Sequence, residues 1–159
     1  MGHFGFSYIG CIYLLLLFIP NGIWAHYKPQ GYDALAAGEP KPLRLLEGIG
    51  QVLTTCCALA FSDFNPRGWS LWSLWFIGSL LCMVLYEAGW LRYFTGSRSL
   101  RKMYRPLLGI PVPLASLPVL AFLLLGVYGR VIWMVIAVLP LGVGHIGIHA
   151  LHWRRIKTG

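Results

Sequence analysis

The sequence predicts an all-α integral membrane bundle of five transmembrane helices, with the N-terminus outside and the C-terminus cytoplasmic. Three observations carry that reading. The chain is 57% hydrophobic and only 11% charged, which excludes an ordinary soluble domain and a disordered one. Its apolar residues gather in five runs, at residues 4–24, 45–61, 71–91, 107–127 and 131–151. Each is close to the ~20 residues a helix needs to cross a bilayer, the second being the shortest. Finally, the thirteen Lys and Arg residues fall almost entirely on alternate sides of those runs. One side collects Lys28, Lys41 and Arg44, then Arg92, Arg98, Arg101, Lys102 and Arg105, and last Arg154, Arg155 and Lys157. The other side holds only Arg67 and Arg130. Basic loops stay cytoplasmic, and this sets the expected orientation.

Residues 1–159 leave room for a single polytopic domain with short loops. The formal charge of +8 flanks membrane spans, so topology and anionic headgroups account for it better than nucleic acid does. No nucleic-acid partner is expected; the bilayer itself is. Met1 to Tyr8 carries no Lys or Arg, and Gly22-Ile23-Trp24-Ala25 makes a poor cleavage site. A retained first span, with no cleaved signal peptide, is therefore expected, in the cell or inner membrane. Trp24, Trp69, Trp72, Trp90, Trp133 and Trp153 fall near the ends of the runs, where interfacial belts place the amphipathic indole. Cys11, Cys56, Cys57 and Cys82 lie inside runs without metal-ligand spacing and read as small packing residues.

The connections follow in order. Residues 25–44 hold three prolines and two glycines, which argues against one continuous helix there. It reads first as a surface loop, and its length, unusual for a passive link, leaves room for a lid or a binding surface. Residues 62–68 read as a tight external turn from their Asp, Asn, Pro and Gly. Residues 92–106 are the most basic segment and are expected along the cytoplasmic headgroups. Residues 128–130 are so short that the fourth and fifth spans must form an antiparallel hairpin. Pro111 and Pro113 near the start of the fourth span predict irregular first turns, which at membrane depth must be buried in protein or line a wet cavity. Gly48-Ile49-Gly50-Gln51 in the second span echoes Gly142-Val143-Gly144-His145 in the fifth. Small residues allow close helix approach, so the echo suggests that these two spans pack together.

Ionisable groups inside spans are costly, and they face the bundle interior or water. Glu47, Glu87, His145 and His149 are such groups here, with Gln51 and Asn21 as neutral companions. By the expected topology all of them fall in the cytoplasmic half, while the outer half holds only hydroxyls and thiols. His145, His149 and His152 follow i, i+4, i+7 and share one helix face; Glu47, Gln51 and Thr54 do the same on the second span. Two polar stripes at one depth predict a polar pocket open to the cytoplasm. His152, beside Trp153 and Arg154, reads as an interfacial residue outside it.

Three chemistries suit these residues. The favoured one is binding or translocating a small polar or amphipathic molecule or ion, with Asn21, Glu47, Gln51 and His149 as ligand-binding residues. The second is an intramembrane enzyme in which Glu87 and His145 move protons on a lipid-like substrate. The third is a non-catalytic accessory subunit of a larger membrane complex. Five spans is small for a carrier acting alone, so a homo-oligomer or a membrane partner is expected. Histidines at i and i+4 can share an ion with Glu87 or Glu47, but that spacing arises readily by chance at a helix end with three histidines. No metal is assigned on this basis, and no cofactor is named.

Overall fold

The computed structural model describes residues 2–158, and within them the chain is all-helical. No strand is present among the described residues, only isolated bridges between Phe4 and Phe61 and between Leu107 and Ile110. In chain order the helices are α1 (Tyr8–His26), α2 (Tyr32–Ala37), α3 (Lys41–Ala60), α4 (Leu74–Phe94), α5 (Leu100–Tyr104), α6 (Pro113–Gly129), α7 (Ile132–Leu141) and α8 (Gly147–Thr158). A π-helical turn, Gly142–Ile146, joins α7 to α8 without a break, so the two act as one long final helix. Four helical stretches are long and apolar enough to cross a membrane: Tyr8–His26, Lys41–Ala60, Leu71–Phe94 and Ile132–Thr158.

The fourth run differs from the expected one. Its helix begins only at Pro113 and is 17 residues long, or about 25 Å at 1.5 Å per residue. Leu108, Gly109 and Val112 all take positive φ just before it, and a helix cannot pass through residues in that conformation. The irregularity foreseen from Pro111 and Pro113 thus occupies the whole lead-in. Elsewhere the boundaries shift by a few residues: α1 starts later than its run, at Tyr8, and α3 starts earlier, at Lys41. Pro40 is the N-cap residue of α3 and Pro42 stands in its first turn, where a missing N–H is harmless. The first connection is partly helical, through α2, and the basic third one carries α5. Arg92 closes that third connection back on α4, donating to Arg105 O at 2.7 Å and Pro106 O at 3.1 Å.

Packing follows the small residues. Gly126 lies against Met134, and Val131 N donates to Gly126 O at 3.0 Å. Helices α6 and α7 are therefore the antiparallel neighbours that their short connection requires. Helix α4 lies along α6. Ser79 Oγ donates to Ala121 O at 2.7 Å and bonds the Tyr13 hydroxyl at 3.1 Å, tying α1, α4 and α6 at a buried point. At the end of the bundle carrying the N-terminus, residues 62–68 do more than turn. Asp63 accepts from the His3 backbone, from His3 Nδ1 at 2.9 Å and from Arg67 Nη2 at 2.8 Å, which pins the N-terminal segment to the turn.

The glycine echo marks the closest helix contact. A Cβ on Gly50 would collide with the Leu141 backbone, and one on Gly144 would lie 2.6 Å from Leu43 O and against the Glu47 backbone. The first glycine of each pair matters less: Gly48 has nothing within 4 Å, and Gly142 meets only Val119. Gly50→Ala should therefore destabilise the protein in detergent by about 2 kcal/mol, as overpacking against fixed backbone does. Gly48→Ala should be neutral or slightly stabilising, by up to ~1 kcal/mol, because alanine is the better helix former. Thermal unfolding of the two variants checks the opposite signs.

Candidate functional site

The close approach of α3 to the final helix decides which polar groups meet. Gly144 rests on the backbone at Leu43 and Glu47, and the next residue, His145, reaches the Glu47 side chain. His145 Nδ1 and Glu47 Oε1 are 2.5 Å apart, a charge-assisted hydrogen bond between two partly buried side chains. The π turn at Gly142–Ile146 lies two residues past Pro140. Such a turn widens the helix by one residue and changes the direction of the side chains beyond it. His145 lies within the turn and His149 beyond it, with ring centroids 4.5 Å apart, and His149 and His152 are at 5.9 Å. The expected histidine stripe is thus present and meets Glu47 from the second helix.

Beside this pair lies a cleft of about 510 Å³. Helices α1 and α3 touch where Gly10 sits on the Ala58 carbonyl, then diverge toward their other ends. The space between them is lined by Leu14, Leu17, Phe18 and Asn21 of α1 and by Gln51, Val52, Thr54, Thr55 and Cys56 of α3. Tyr86, Leu114, Pro118, Val119, Phe122, Leu141 and His145 close its back. Phe18 is 53% exposed and Val52 63% exposed, so the cleft reaches the outer face of the bundle between α1 and α3. Its wall is mainly apolar. The strongest polar groups are Asn21, Gln51, Tyr86 and His145. Asn21 Nδ2 donates to Leu17 O at 2.7 Å and to the Tyr86 hydroxyl at 2.8 Å, which fixes two of them. Thr54 Oγ1 is buried without a hydrogen-bond partner.

Of the residues singled out from the sequence, Asn21, Gln51 and His145 line the cleft, and Glu47 and His149 join His145 just beside it. Glu87 stands apart. It neither lines the cleft nor hydrogen-bonds His145, and its Oε1 is shielded without a partner. The reason is helical phase. Tyr86 turns toward the cleft, and the next residue on a helix points ~100° away from it.

Sequence reasoning missed a second polar layer. His152 is 1% exposed, not interfacial. Its Nδ1 hydrogen-bonds the Tyr104 hydroxyl at 2.8 Å, and its Nε2 lies 3.3 Å from Glu39 Oε1. The first connection folds over it: Arg155 Nη2 donates to Gly38 O at 3.0 Å, and the Tyr32 ring packs edge-on against His152. Burial, then the charge of Glu47, raises the Glu39 carboxyl above its ordinary value, partly offset by Arg44. Burial, then the charges of Glu39, Glu47 and Asp33, push the Tyr32 hydroxyl up to about 12. The i, i+7 relation of His152 to His145 was the available signal. Its partners come from distant loops and left no local trace.

The Glu47–His145 contact makes the two side chains interdependent. Glu47→Leu and His145→Leu should each destabilise by about 2 kcal/mol, because each leaves the other polar group unpaired in apolar surroundings. The double variant should cost less than the sum of the two. A double-mutant cycle on unfolding in detergent measures the coupling; strict additivity would mean that the pair contributes nothing.

No family model, curated protein or solved structure matches this chain.

Proposed function

We propose that this is a five-span membrane protein that holds an amphipathic, lipid-like molecule in the cleft between α1 and α3. The observation that carries the reading is the form of the cleft. It reaches the lipid-facing surface, its wall is apolar, and a few fixed polar groups stand within it, which is how sites for small amphiphiles are built. The apolar body of the ligand lies along Leu14, Leu17, Phe18 and Val52. Its polar end meets Asn21, Gln51, Tyr86 and His145. These groups gather toward the end of the bundle that carries the first connection, and the other polar residues of the cleft wall are Thr54, Thr55 and Cys56. That one-sidedness supports binding over translocation.

Five spans, with the N-terminus outside, are supported by charge and length together. Helix α6 falls short of the ~30 Å hydrocarbon core on its own, and its lead-in is mostly exposed, with Leu108 80% exposed, contrary to the burial expected of irregular backbone at membrane depth; residues 107–112 therefore fit the headgroup layer, with local thinning of the bilayer around α6. The basic residues of the first and third connections and of the C-terminal end of α8 then share the cytoplasmic side. Cysteines introduced at Ser97 should label only after the membrane is permeabilised, and Asn65→Cys should label in sealed cells. External labelling at Ser97 would overturn the orientation.

Ligand binding is tested by mass spectrometry of what the protein retains after gentle purification. Wild type should retain one class of amphiphile in near-stoichiometric amount, enriched over the surrounding membrane. Thr55→Trp, which fills the cleft, and Gln51→Leu, which removes a polar contact, should both lose it while remaining folded. Bulk lipid in the same proportions in all three proteins would contradict the reading.

A further inference from the structure

Among the described residues, Glu47, His145 and His149 form a group of ligating side chains drawn from two helices. Each offers one ligand atom, and the three atoms lie within 4.8 Å of one another. They come from α3 and from the final helix, so they approach one point from two sides. The hydrogen bond from His145 to Glu47 accounts for two of them. His149 is the member without an explanation. Its ring packs against Tyr104, centroids 5.5 Å apart, and between the other two histidines. Among the described residues its ring nitrogens have no hydrogen-bond partner. Three imidazoles in a row are poorly suited to an apolar bundle when the middle one is unpaired.

We propose that Glu47, His145 and His149 bind one divalent first-row transition ion, with zinc as the representative member. Two imidazoles and a carboxylate are the donor set that such ions take in sites with an open position. A tetrahedral shell with bonds near ~2.1 Å sets donor atoms ~3.4 Å apart. The three atoms lie within 4.8 Å of one another, and His145 Nδ1 is 2.5 Å from Glu47 Oε1, so an ion bound between them would take the place of that hydrogen bond. Charge is also in place. Burial, then the charge of Glu47, raises the Glu39 carboxyl, and Arg44 lies 3.8 Å from it. A bound dication would relieve the repulsion between the two carboxylates. The rings of Tyr104 and His152 pack against His149 and limit where its imidazole can turn. Since His145 also lines the cleft, the open coordination position is reached from there.

This inference goes beyond the binding of an amphiphile and does not depend on it, since the metal alone is the probe. The full chain, purified without a histidine tag into lipid nanodiscs, is stripped with a chelator and titrated with Zn²⁺ and with Co²⁺. The expected result is a single ion per chain, with Co²⁺ giving the intense visible bands of a low-symmetry nitrogen–oxygen site. That spectrum is read on the wild type and needs no variant to fold. His149→Ala and Glu47→Gln should each weaken binding by more than about 100-fold, beyond what loss of a supporting group costs. His26→Ala, a histidine outside the group, should leave it unchanged. Failure of the wild type to bind a stoichiometric ion would overturn the proposal, as would affinity that survives in His149→Ala.

Discussion

The approach of α3 to the final helix at Gly50 and Gly144 is the constraint on which the site depends. Both glycines lie where any side chain would meet backbone, so the two helices are as close as helices pack. Only at that distance does a glutamate one turn before Gln51 reach a histidine one residue after Gly144. The same contact turns Gln51 and His145, the residues that follow the two glycines, toward a common space. On the other side of α3 the contact with α1 is local, at Gly10 and Ala58, and the helices part beyond it. One tight seam and one splayed seam on the same helix give a fixed polar group next to an open cleft.

Much of this was legible in the sequence, for reasons that can be named. Apolar length and loop charge identify helices because the bilayer leaves the backbone few alternatives. The short connection at residues 128–130 forces α6 and α7 together. The repeated Gly-x-Gly-polar pattern marked the tight seam, since only small residues permit it. Helical spacing put Glu47 with Gln51, and His145 with His149, on shared faces. What spacing could not supply was the partner of each face. Glu87 was grouped with His145 on depth alone, but depth does not give rotation about the helix axis, and Tyr86 takes the inward direction. The layer built by Glu39, Tyr104 and His152 was invisible for a different reason. Its contacts join residues far apart in sequence, and the Pro-rich first connection gave no sign that it folds back over α8. The prolines mark the lead-in to α6 as irregular, but they do not give its form, a two-residue turn closed by Leu107 and Ile110 with positive φ at Leu108 and Gly109.

Functionally, His145 stands at a junction. It lines the cleft and belongs to the Glu47–His149 group, so a ligand in the cleft and a charge on that group would each feel the other. Glu39 and His152 extend the polar layer toward the surface covered by the first connection. The cleft wall is thus apolar along α1 and α3 and ends at the polar groups around His145, the gradient on which the proposed binding of an amphiphile rests.

The central claim is that Glu47 and His145 are in direct contact inside the bilayer. Solid-state NMR on the protein in lipid, with ¹³C in the Glu47 carboxyl and ¹⁵N in the His145 ring, measures that separation. The account predicts strong dipolar dephasing, consistent with Nδ1 and Oε1 at 2.5 Å, or with both groups on one bound ion. Absence of dephasing in the folded protein would contradict it, because the helices would then be packed or rotated differently and neither the cleft nor the ligand group would exist as described.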